Sequence, residues 1–422
     1  MTEAVAPISL RRNRDFMLLW IGQLISAVGN RVVAVAFPLL VLGTTHSPAK
    51  AGITGFAEML PALLFTLYAG ALLDRVDRRR VMLASEAART LALGSLAVAV
   101  AAGHVSFAHI LVVAFVDGTG YIFFELAERA ALSSVVPREQ VPDAIAANQG
   151  RVYGTGVLGT PLGGFLFGLA RAVPFAVDAV SYFVSLMTVA AVRTPLQEER
   201  APGDRPHVVA EIRDGLRFVW KEPFLRATSL IAAGSDFVIN ALVLVVIVAA
   251  KRDGASSFFV GVMLAFYGLA GLLGAVIAPR ASRALSVPAV IIGTEVLVAG
   301  FTPVLAVVHG AIALGIVFGA MFLAWPTWNA VVMARKLAIT PDQMRGRMMS
   351  VSTMFSLGST PLGMLGAGFL LESIGVTKTV LVFTAMMAVV LAGAITSRAV
   401  RSSARNLGEV PELPQRVADV EQ

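Results

Sequence analysis

The side chains best suited to chemistry are ionisable groups inside long apolar stretches. A charge at the centre of a membrane span costs at least about 2.5–3.5 kcal/mol on insertion scales, so such groups are rare without a function. Burial disfavours the ionised form of a carboxyl group, which suits it to taking up and releasing a proton near neutral pH. The ionisable groups in apolar stretches are Arg31, Glu58, Asp117, Glu125, Asp178, Asp236 and Glu295.

Glu58 and Asp117 are the first candidates for a proton site. Arg31 follows Asn30 in the first apolar stretch, and we expect Glu58 or Asp117 to pair with it. Both acids lie in the half of the chain that carries Arg31. The alternative for each acid is a pairing or backbone-capping role in a helix contact. Asp178 is expected near the outer surface, in a structural role.

Asp236, Glu295 and two tryptophans are further candidates for coupling or substrate contact. Trp325 and Trp328 flank Pro326 and Thr327. Aromatic surfaces beside a polar group suit an amphipathic ligand. Tryptophan is equally common at membrane interfaces, so an anchoring role is the alternative.

The composition requires a membrane protein. Of 422 residues, 57% are hydrophobic and 14% charged, against roughly 25% charged in soluble domains. A membrane core needs about 20 apolar residues per helix. The sequence predicts an all-α polytopic protein with twelve transmembrane helices, at 16–43, 51–73, 80–102, 106–130, 147–169, 174–193, 225–250, 258–278, 287–307, 311–334, 347–371 and 376–397.

The cations predict the orientation. Lys and Arg concentrate in alternate loops, including residues 11–14, 75–80, 200–221, 335–347 and 398–405, and such loops face the cytoplasm. Both termini are therefore expected in the cytoplasm and the chain in the plasma (inner) membrane. Because the cations are spread over many turns, we expect no nucleic-acid partner despite the net charge of +7.

The two halves of the chain resemble each other. Residues 158–164 match 357–363, and Gly29-Asn30 has a counterpart in residues 234–236, about two hundred residues later. Such repeats indicate a duplicated helix bundle with a cavity between the copies. The predicted units are six-helix bundles at 1–196 and 224–397, a cytoplasmic loop at 197–223 with a short amphipathic segment, and a cytoplasmic tail at 398–422, expected to be disordered.

Other chemistries are not expected. The chain has no cysteine, and its five histidines lack metal-ligand spacing. There is no phosphate-binding lysine motif and no nucleophile elbow. We therefore expect neither an enzyme nor a metal or other cofactor.

A charged loop, residues 70–80, lies between the second and third spans. It reads Gly-Ala-Leu-Leu-Asp-Arg-Val-Asp-Arg-Arg-Arg and resembles the signature loop of the major facilitator superfamily. The stretches 127–143 and 175–183 resemble its bacterial macrolide-efflux and enterobactin-exporter branch. The resemblance implies proton-driven export of a small, largely apolar molecule by a protein that we expect to be monomeric. A lipid-like substrate, such as a lysophospholipid, or a receptor that no longer transports are the alternatives.

The resemblance also implies a gate. The gating residues would be Gly70, Asp74, Arg75, Arg78 and Arg79, with Asp74 meeting the start of the eleventh helix near residues 348–350. A carboxylate at a helix N-terminus contributes roughly 0.3–1 kcal/mol when exposed, enough to bias two states. The alternative for the arginines is orientation alone. Glu125, with Glu128 and Arg129, is expected to form an internal pair that supports this gate.

Small residues and prolines in the fifth and eleventh spans are expected to serve as a hinge or as packing surfaces. They are Gly159, Pro161, Gly163, Gly164 and Pro361.

Two positions depart from better-known exporters. Ala114 stands where some carry an arginine before Gly118-Thr-Gly120, and Asn30 stands where the macrolide-type proteins carry an acid. Arg31 then leaves a positive cavity, which favours an anionic substrate such as a carboxylate or siderophore.

Overall fold

The computed structural model describes residues 10–73, 76–197 and 208–403, and these ranges contain helices and no strand. The helices are α1 (Arg14–Thr45), α2 (Pro48–Leu73), α3 (Arg78–Ala101), α4 (Phe107–Val135), α5 (Val141–Leu169), α6 (Val173–Ala191), α7 (Val208–Lys221), α8 (Pro223–Arg252), α9 (Ser257–Ala284), α10 (Val287–Phe301), α11 (Ala311–Ala320), α12 (Trp325–Ile339), α13 (Asp342–Thr396) and α14 (Arg398–Arg401).

These helices make twelve membrane crossings, as the sequence predicts. Within the described ranges, ten helical segments are long and apolar enough to span a membrane, and α2 adds a further crossing of 26 residues. The 55-residue α13 contains a break at Gly375, where φ is 75°. A straight helix of that length would measure about 80 Å against a hydrocarbon core of about 30 Å. Since the backbone turns at Gly375, α13 supplies two crossings.

We call the end of the bundle where α1 begins and α13 ends the terminal face, and the other end the opposite face. Toward the opposite face, one hydrophobic core includes side chains of both halves, such as Leu40 and Leu242. At the terminal face the core divides into one cluster around Met82 in the first half and another around Ile291 in the second. The two halves therefore pack together at the opposite face and separate toward the terminal face.

Small residues bring the halves together at the opposite face. A Cβ atom on Gly164 of α5 would overlap the Ser257 carbonyl oxygen of α9, and one on Gly52 of α2 would lie 2.6 Å from the Met364 carbonyl oxygen of α13. Only glycine permits such close backbone approach. Gly164 therefore lies at a close contact between helices, and whether it also acts as a hinge remains a prediction.

The other predicted packing residues lie within continuous helices. Gly159 and Gly163 of α5 contact α1 at Arg31 and Val32. Pro161 and Pro361 stand inside α5 and α13. A hinge role for the two prolines remains a prediction.

An acid from the second half caps a helix of the first half at the opposite face. The exposed Glu372 of α13 accepts a hydrogen bond from the backbone N–H of Ala49, with N···O 2.9 Å, and another from the Ser47 hydroxyl. These groups start α2, where unpaired N–H groups favour a carboxylate. We call this contact the α2–α13 cap.

The predicted amphipathic segment is α7, which covers the start of α13. Val219 of α7 packs with Leu225, Met348 and Val351. Met348 is therefore buried beneath α7, at the place where the sequence predicts that Asp74 docks. Asp74 and Arg75 lie outside the described residues, as does most of the predicted tail, whereas Arg398–Arg401 form the short helix α14.

The α2–α13 cap leads to a prediction about the spacing of the two halves. Replacing Glu372 by alanine removes both hydrogen bonds, so the halves are expected to separate more often at the opposite face. The chain has no cysteine, so spin labels attach only to cysteines introduced at His104 in the first half and Lys378 in the second. The distance between the two labels reports the separation of the halves at the opposite face. By pulsed electron paramagnetic resonance, we expect Glu372→Ala to show a second population of molecules in which the two labels are farther apart.

Ser373→Ala is the matched control, because the Ser373 hydroxyl bonds only to carbonyls of its own helix. An unchanged distance distribution in Glu372→Ala would show that the cap does not hold the halves together.

Candidate functional site

A buried arginine in α3 is the centre of a polar cluster in the first half. The Arg89 side chain is 2% exposed, and its Nε donates to Asp117 Oδ1 of α4 at 2.9 Å. Its Nη2 donates to Asn30 Oδ1 of α1 at 2.5 Å and contacts the Tyr182 hydroxyl of α6. The Tyr182 hydroxyl also donates to Asn30, at 2.6 Å. One guanidinium thus connects four helices.

Aromatic rings cover the remaining surface of this cation. The Arg89 Cζ atom lies 3.8 Å from the ring centre of Tyr182 and 5.6 Å from that of Tyr121. A guanidinium over an aromatic face gains about 0.5–2 kcal/mol, with the larger value for desolvated pairs. The two tyrosine rings therefore add to the stabilisation of the buried positive charge.

Gly118 and Gly120 bring α4 close enough for this pairing. A Cβ atom on Gly120 would lie 2.5 Å from Arg89 Cγ, and one on Gly118 would overlap the Glu58 carbonyl oxygen of α2. Larger residues at these positions would push α4 away from α3 and from α2. The Gly118-Thr-Gly120 motif therefore sets the position of Asp117.

Two further acids are buried around Arg89. Glu86, one turn earlier on α3, accepts from Ser185 at 2.8 Å and from Gln23 at 3.3 Å. Asp178 accepts from the Ser181 hydroxyl at 2.7 Å. Among the described residues, Glu86 Oε2 and Asp178 Oδ2 have no hydrogen-bond partner.

The acids outnumber the cation in this cluster. Asp117, Glu86 and Asp178 interact electrostatically with Arg89, and so does Glu58 of α2. Full ionisation would leave three negative charges without a counter-ion in a low-dielectric interior, where each unpaired ion costs several kcal/mol. Such an arrangement is suited to holding protons on some of its carboxyl groups.

The second half has one hydrogen bond at the equivalent positions, with an acid in place of the arginine. Ser235 of α8 donates to the fully buried Glu295 of α10 at 2.8 Å. Ser235 follows Asn30 by 205 positions, and Glu295 follows Arg89 by 206, so the same pair of helices makes the same contact in each half. Beside it, Asp236 bonds to Ser356 of α13.

The predicted partner of Arg31 is wrong. Asp117 pairs with Arg89, and Arg31 makes no ion pair within the part of the chain that the structure describes. Glu58, the other predicted partner, is half-buried and makes no side-chain hydrogen bond or ion pair among the same residues.

Asp178 lies in the second turn of α6, and its side chain is fully buried beside Gly29 of α1. Its expected position near the outer end of the span and its structural role remain predictions.

Arg89 and Glu86 are not among the residues that the sequence predicts for the site. They lie in the third span, which directly follows the basic loop, so their charges resemble those of the loop. Their spacing of three residues, which places an acid and a base on one helix face within an apolar run, is the signal that identifies them. Lys336 was assigned to a loop, but it is 5% exposed in α12 and donates to Ser352 at 3.3 Å.

The two candidate tryptophans stack on each other, with the ring centres of Trp325 and Trp328 5.4 Å apart. Trp328 is buried among Val331, Ile291 and other core residues of the second half. Its position supports packing and not contact with a cavity.

The charged groups near the terminal face bond within the first half. Arg78 Nη1 donates to the Ala130 carbonyl at 2.9 Å, and Arg79 bonds to the Ala190 carbonyl. Both arginines therefore tie α3 to its neighbours as well as marking orientation. Gly70 lies in α2.

The expected pairing around Glu125 is present in part. Glu125 pairs with Arg129 at 2.5 Å, whereas Glu128 pairs with Arg151 of α5 at 3.0 Å.

Comparison with known sequences gives consistent matches. A sequence model of the family described as transmembrane secretion effector matches residues 2–420. The multidrug efflux pump Tap of Mycolicibacterium fortuitum is 28% identical over 389 residues, which cover 88% of this chain and 92% of that protein. Macrolide efflux protein A of Streptococcus pyogenes is 23% identical over 232 residues, which cover 54% of this chain and 57% of that protein.

A solved structure shares the fold. A bacterial homologue of the human lysosomal transporter Spinster, crystallised in an inward-facing and unoccupied conformation, superposes with a TM-score of 0.73 at 15% identity. The match covers 96% of this chain and 100% of the other.

The Arg89–Asp117 pair leads to a stability prediction. Removing one partner of a buried pair leaves the other charge unpaired, which costs about 3–5 kcal/mol. We expect Arg89→Leu to lower the free energy of unfolding by that amount, measured by denaturant titration in detergent micelles. The double variant Arg89→Leu/Asp117→Leu is expected to recover part of the loss.

Arg129→Leu serves as the control, because the Arg129 side chain is 71% exposed and exposed i,i+4 pairs contribute about 0.5 kcal/mol or less. Equal losses in Arg89→Leu and Arg129→Leu would contradict a central role for Arg89.

Proposed function

We propose that this chain, which belongs to the transmembrane secretion effector family of the major facilitator superfamily, exports small amphipathic molecules in exchange for protons. The chain is a multi-pass membrane transporter. The names of its relatives, a multidrug efflux pump and a macrolide efflux protein, support export as the direction.

The cluster around Arg89 is the observation that carries the proton coupling. Four carboxyl groups share one buried guanidinium, so a movement of Arg89 or of an acid would change how strongly each carboxyl group holds a proton. Glu58 is the proposed proton-carrying group, because it is the half-buried acid of the four and the others are bonded to neighbours. Asp117 holds Arg89 in place and sets the charge that Glu58 experiences.

The two halves, with proposed bounds 1–196 and 224–397, would move against each other around this cluster. The terminal face, where Arg78, Arg79 and Arg80 lie, is the proposed cytoplasmic side. The observed state would then be open to the cytoplasm and closed at the outer face by the α2–α13 cap. The loop with Gly70, Asp74 and Arg75 is proposed to close the cytoplasmic side in the alternate state.

Arg31 is proposed to influence which substrates bind. It makes no ion pair in the described part of the chain, so its charge is available to a ligand. An anionic or oxygen-rich substrate would complement it. In the second half, Asp236 follows Arg31 by 205 positions and supplies an acid at the symmetry-related position, close to Glu295. The protein is proposed to act as a monomer in the plasma membrane, with small molecules and protons as its partners.

Reconstitution tests the export function. We expect purified protein in liposomes with an imposed pH gradient to accumulate at least one labelled compound from a panel containing a macrolide, a cationic dye, an anionic siderophore and a lysophospholipid. Accumulation of the lysophospholipid alone would favour lipid transport. Failure to accumulate any compound in protein shown to be folded would contradict export.

A charge-neutral substitution tests the role of Glu58. Glu58→Gln keeps the shape of the side chain but cannot bind and release a proton, so substrate movement should continue down a concentration gradient and lose its response to the pH gradient. We expect a loss of at least about tenfold in gradient-driven accumulation, equivalent to 1.4 kcal/mol or more. Glu139→Gln, at an exposed acid, is the matched control. Normal gradient-driven accumulation by Glu58→Gln would exclude Glu58 as the proton carrier.

A further inference from the structure

The amphipathic helix α7 lies across the ends of three membrane-spanning helices at the terminal face. Its Val219 packs against Leu225 at the start of α8 and against Met348 at the start of α13. Ile339, the last residue of α12, packs against the same cluster. Only Glu222 separates the last residue of α7 from the first residue of α8. The helix is therefore held at the level where these spans leave the membrane.

Polar and backbone contacts fix the orientation of α7. Arg226 of α8 donates from Nη1 to the Trp220 carbonyl oxygen at 2.9 Å. Asp214 pairs with Arg347 of α13, with N···O 3.8 Å. A Cβ atom on Gly215 would lie 3.0 Å from the Arg347 carbonyl oxygen. One face of α7 is thus held against the bundle, and the opposite face is held outward.

The outward face of α7 combines cations with apolar side chains. At 3.6 residues per turn, Arg213, Arg217 and Lys221 share this face, and all three are exposed. Leu216 and Trp220 lie beside them and are 37% and 49% exposed. Among the residues that the structure describes, none of the three cations makes an ion pair. We call these five residues the basic face of α7.

The pattern of the basic face matches the boundary of a bilayer. The two apolar residues are four positions apart and form one strip, and the three cations, also four apart, form a second strip beside it. Tryptophan is enriched where lipid headgroups meet acyl chains. Each cation next to an anionic leaflet contributes about a fivefold preference for it, equivalent to about 1 kcal/mol. A helix lying in this boundary can place one strip toward the acyl chains and the other on the phosphates.

We propose that the basic face of α7 binds an anionic phospholipid of the leaflet next to the terminal face. The three cations contact the lipid phosphate, and Trp220 lies at the level of the ester groups. This binding does not depend on the substrate or the direction of transport, so it holds whether or not the chain exports a molecule.

Removal of the cations tests the site. Native mass spectrometry of the full chain in detergent, titrated with dioleoylphosphatidylglycerol or dioleoylphosphatidylcholine, gives the affinity for each lipid. We expect the unmodified protein to bind phosphatidylglycerol at least about tenfold more tightly than phosphatidylcholine. The variant Arg213→Gln/Arg217→Gln/Lys221→Gln is expected to reduce this ratio at least about fivefold. Because the replaced side chains are exposed, we expect the variant to fold, which its melting temperature checks.

Arg280→Gln/Arg283→Gln/Arg398→Gln is the matched control. It removes three exposed cations near the terminal face, at the end of α9 and in α14. The total charge changes equally in the two variants, so a loss confined to the α7 variant shows that the position of the cations matters. Equal losses in both variants would overturn the proposal, as would equal binding of the two lipids by the unmodified protein.

Fluorescence quenching tests contact between α7 and the bilayer. Phosphatidylglycerol with bromine atoms near the start of its acyl chains quenches tryptophans at that depth. The chain has four tryptophans, so the emission of Trp220 is obtained as the difference between the unmodified protein and Trp220→Phe, both in nanodiscs. We expect brominated lipid to remove most of this emission. Emission of Trp220 that is the same in brominated and ordinary lipid would show that the basic face meets water or an acidic protein surface, and would overturn the proposal.

Discussion

The pairing of one buried guanidinium with several acids is the constraint on which the first half depends. Arg89 bonds directly to Asp117, Asn30 and Tyr182, and therefore joins α1, α3, α4 and α6. Neither member of the pair can be exposed to lipid, and neither can be removed without leaving a charge in the interior. The packing of these four helices, including the glycines of α4, is organised around this requirement.

The two halves make a hydrogen bond at equivalent positions, but the buried charged residue has the opposite sign in each half. In the first half the third helix carries a cation, Arg89, whereas in the second half the equivalent position is an acid, Glu295. The contact from the first helix changes accordingly, from the acceptor oxygen of Asn30 to the donor hydroxyl of Ser235. Similar backbones thus hold opposite charges on the two sides of the molecule.

The closed opposite face is maintained by backbone contact and not by bulky side chains. Gly52 and Gly164 allow helices of the two halves to approach closely, and Glu372 completes the first turn of α2 from the other half. Contacts of this kind are short and few, so they can be broken without unfolding either half. At the terminal face, each half has its own hydrophobic core. Separation of the two halves there therefore exposes little apolar surface.

The number and order of the spans, the duplication and the amphipathic segment α7 can be read from the sequence. Apolar length and repeat spacing are properties of neighbouring residues, and a lipid solvent forces each long apolar stretch into a helix. The small size of Gly164, which permits close helix packing, is likewise visible in the sequence.

Which charged side chains pair with each other depends on how the helices pack in the tertiary structure. The sequence offers Glu58 or Asp117 as the partner of Arg31, yet Asp117 pairs with Arg89. An ion pair depends on distances of 3–4 Å between helices that are far apart in the chain, and those distances follow from where Gly118 and Gly120 permit close approach. The sequence shows which side chains are charged, but helix packing fixes which of them pair. The interior tolerates a charged side chain only where the packing places its counter-ion beside it.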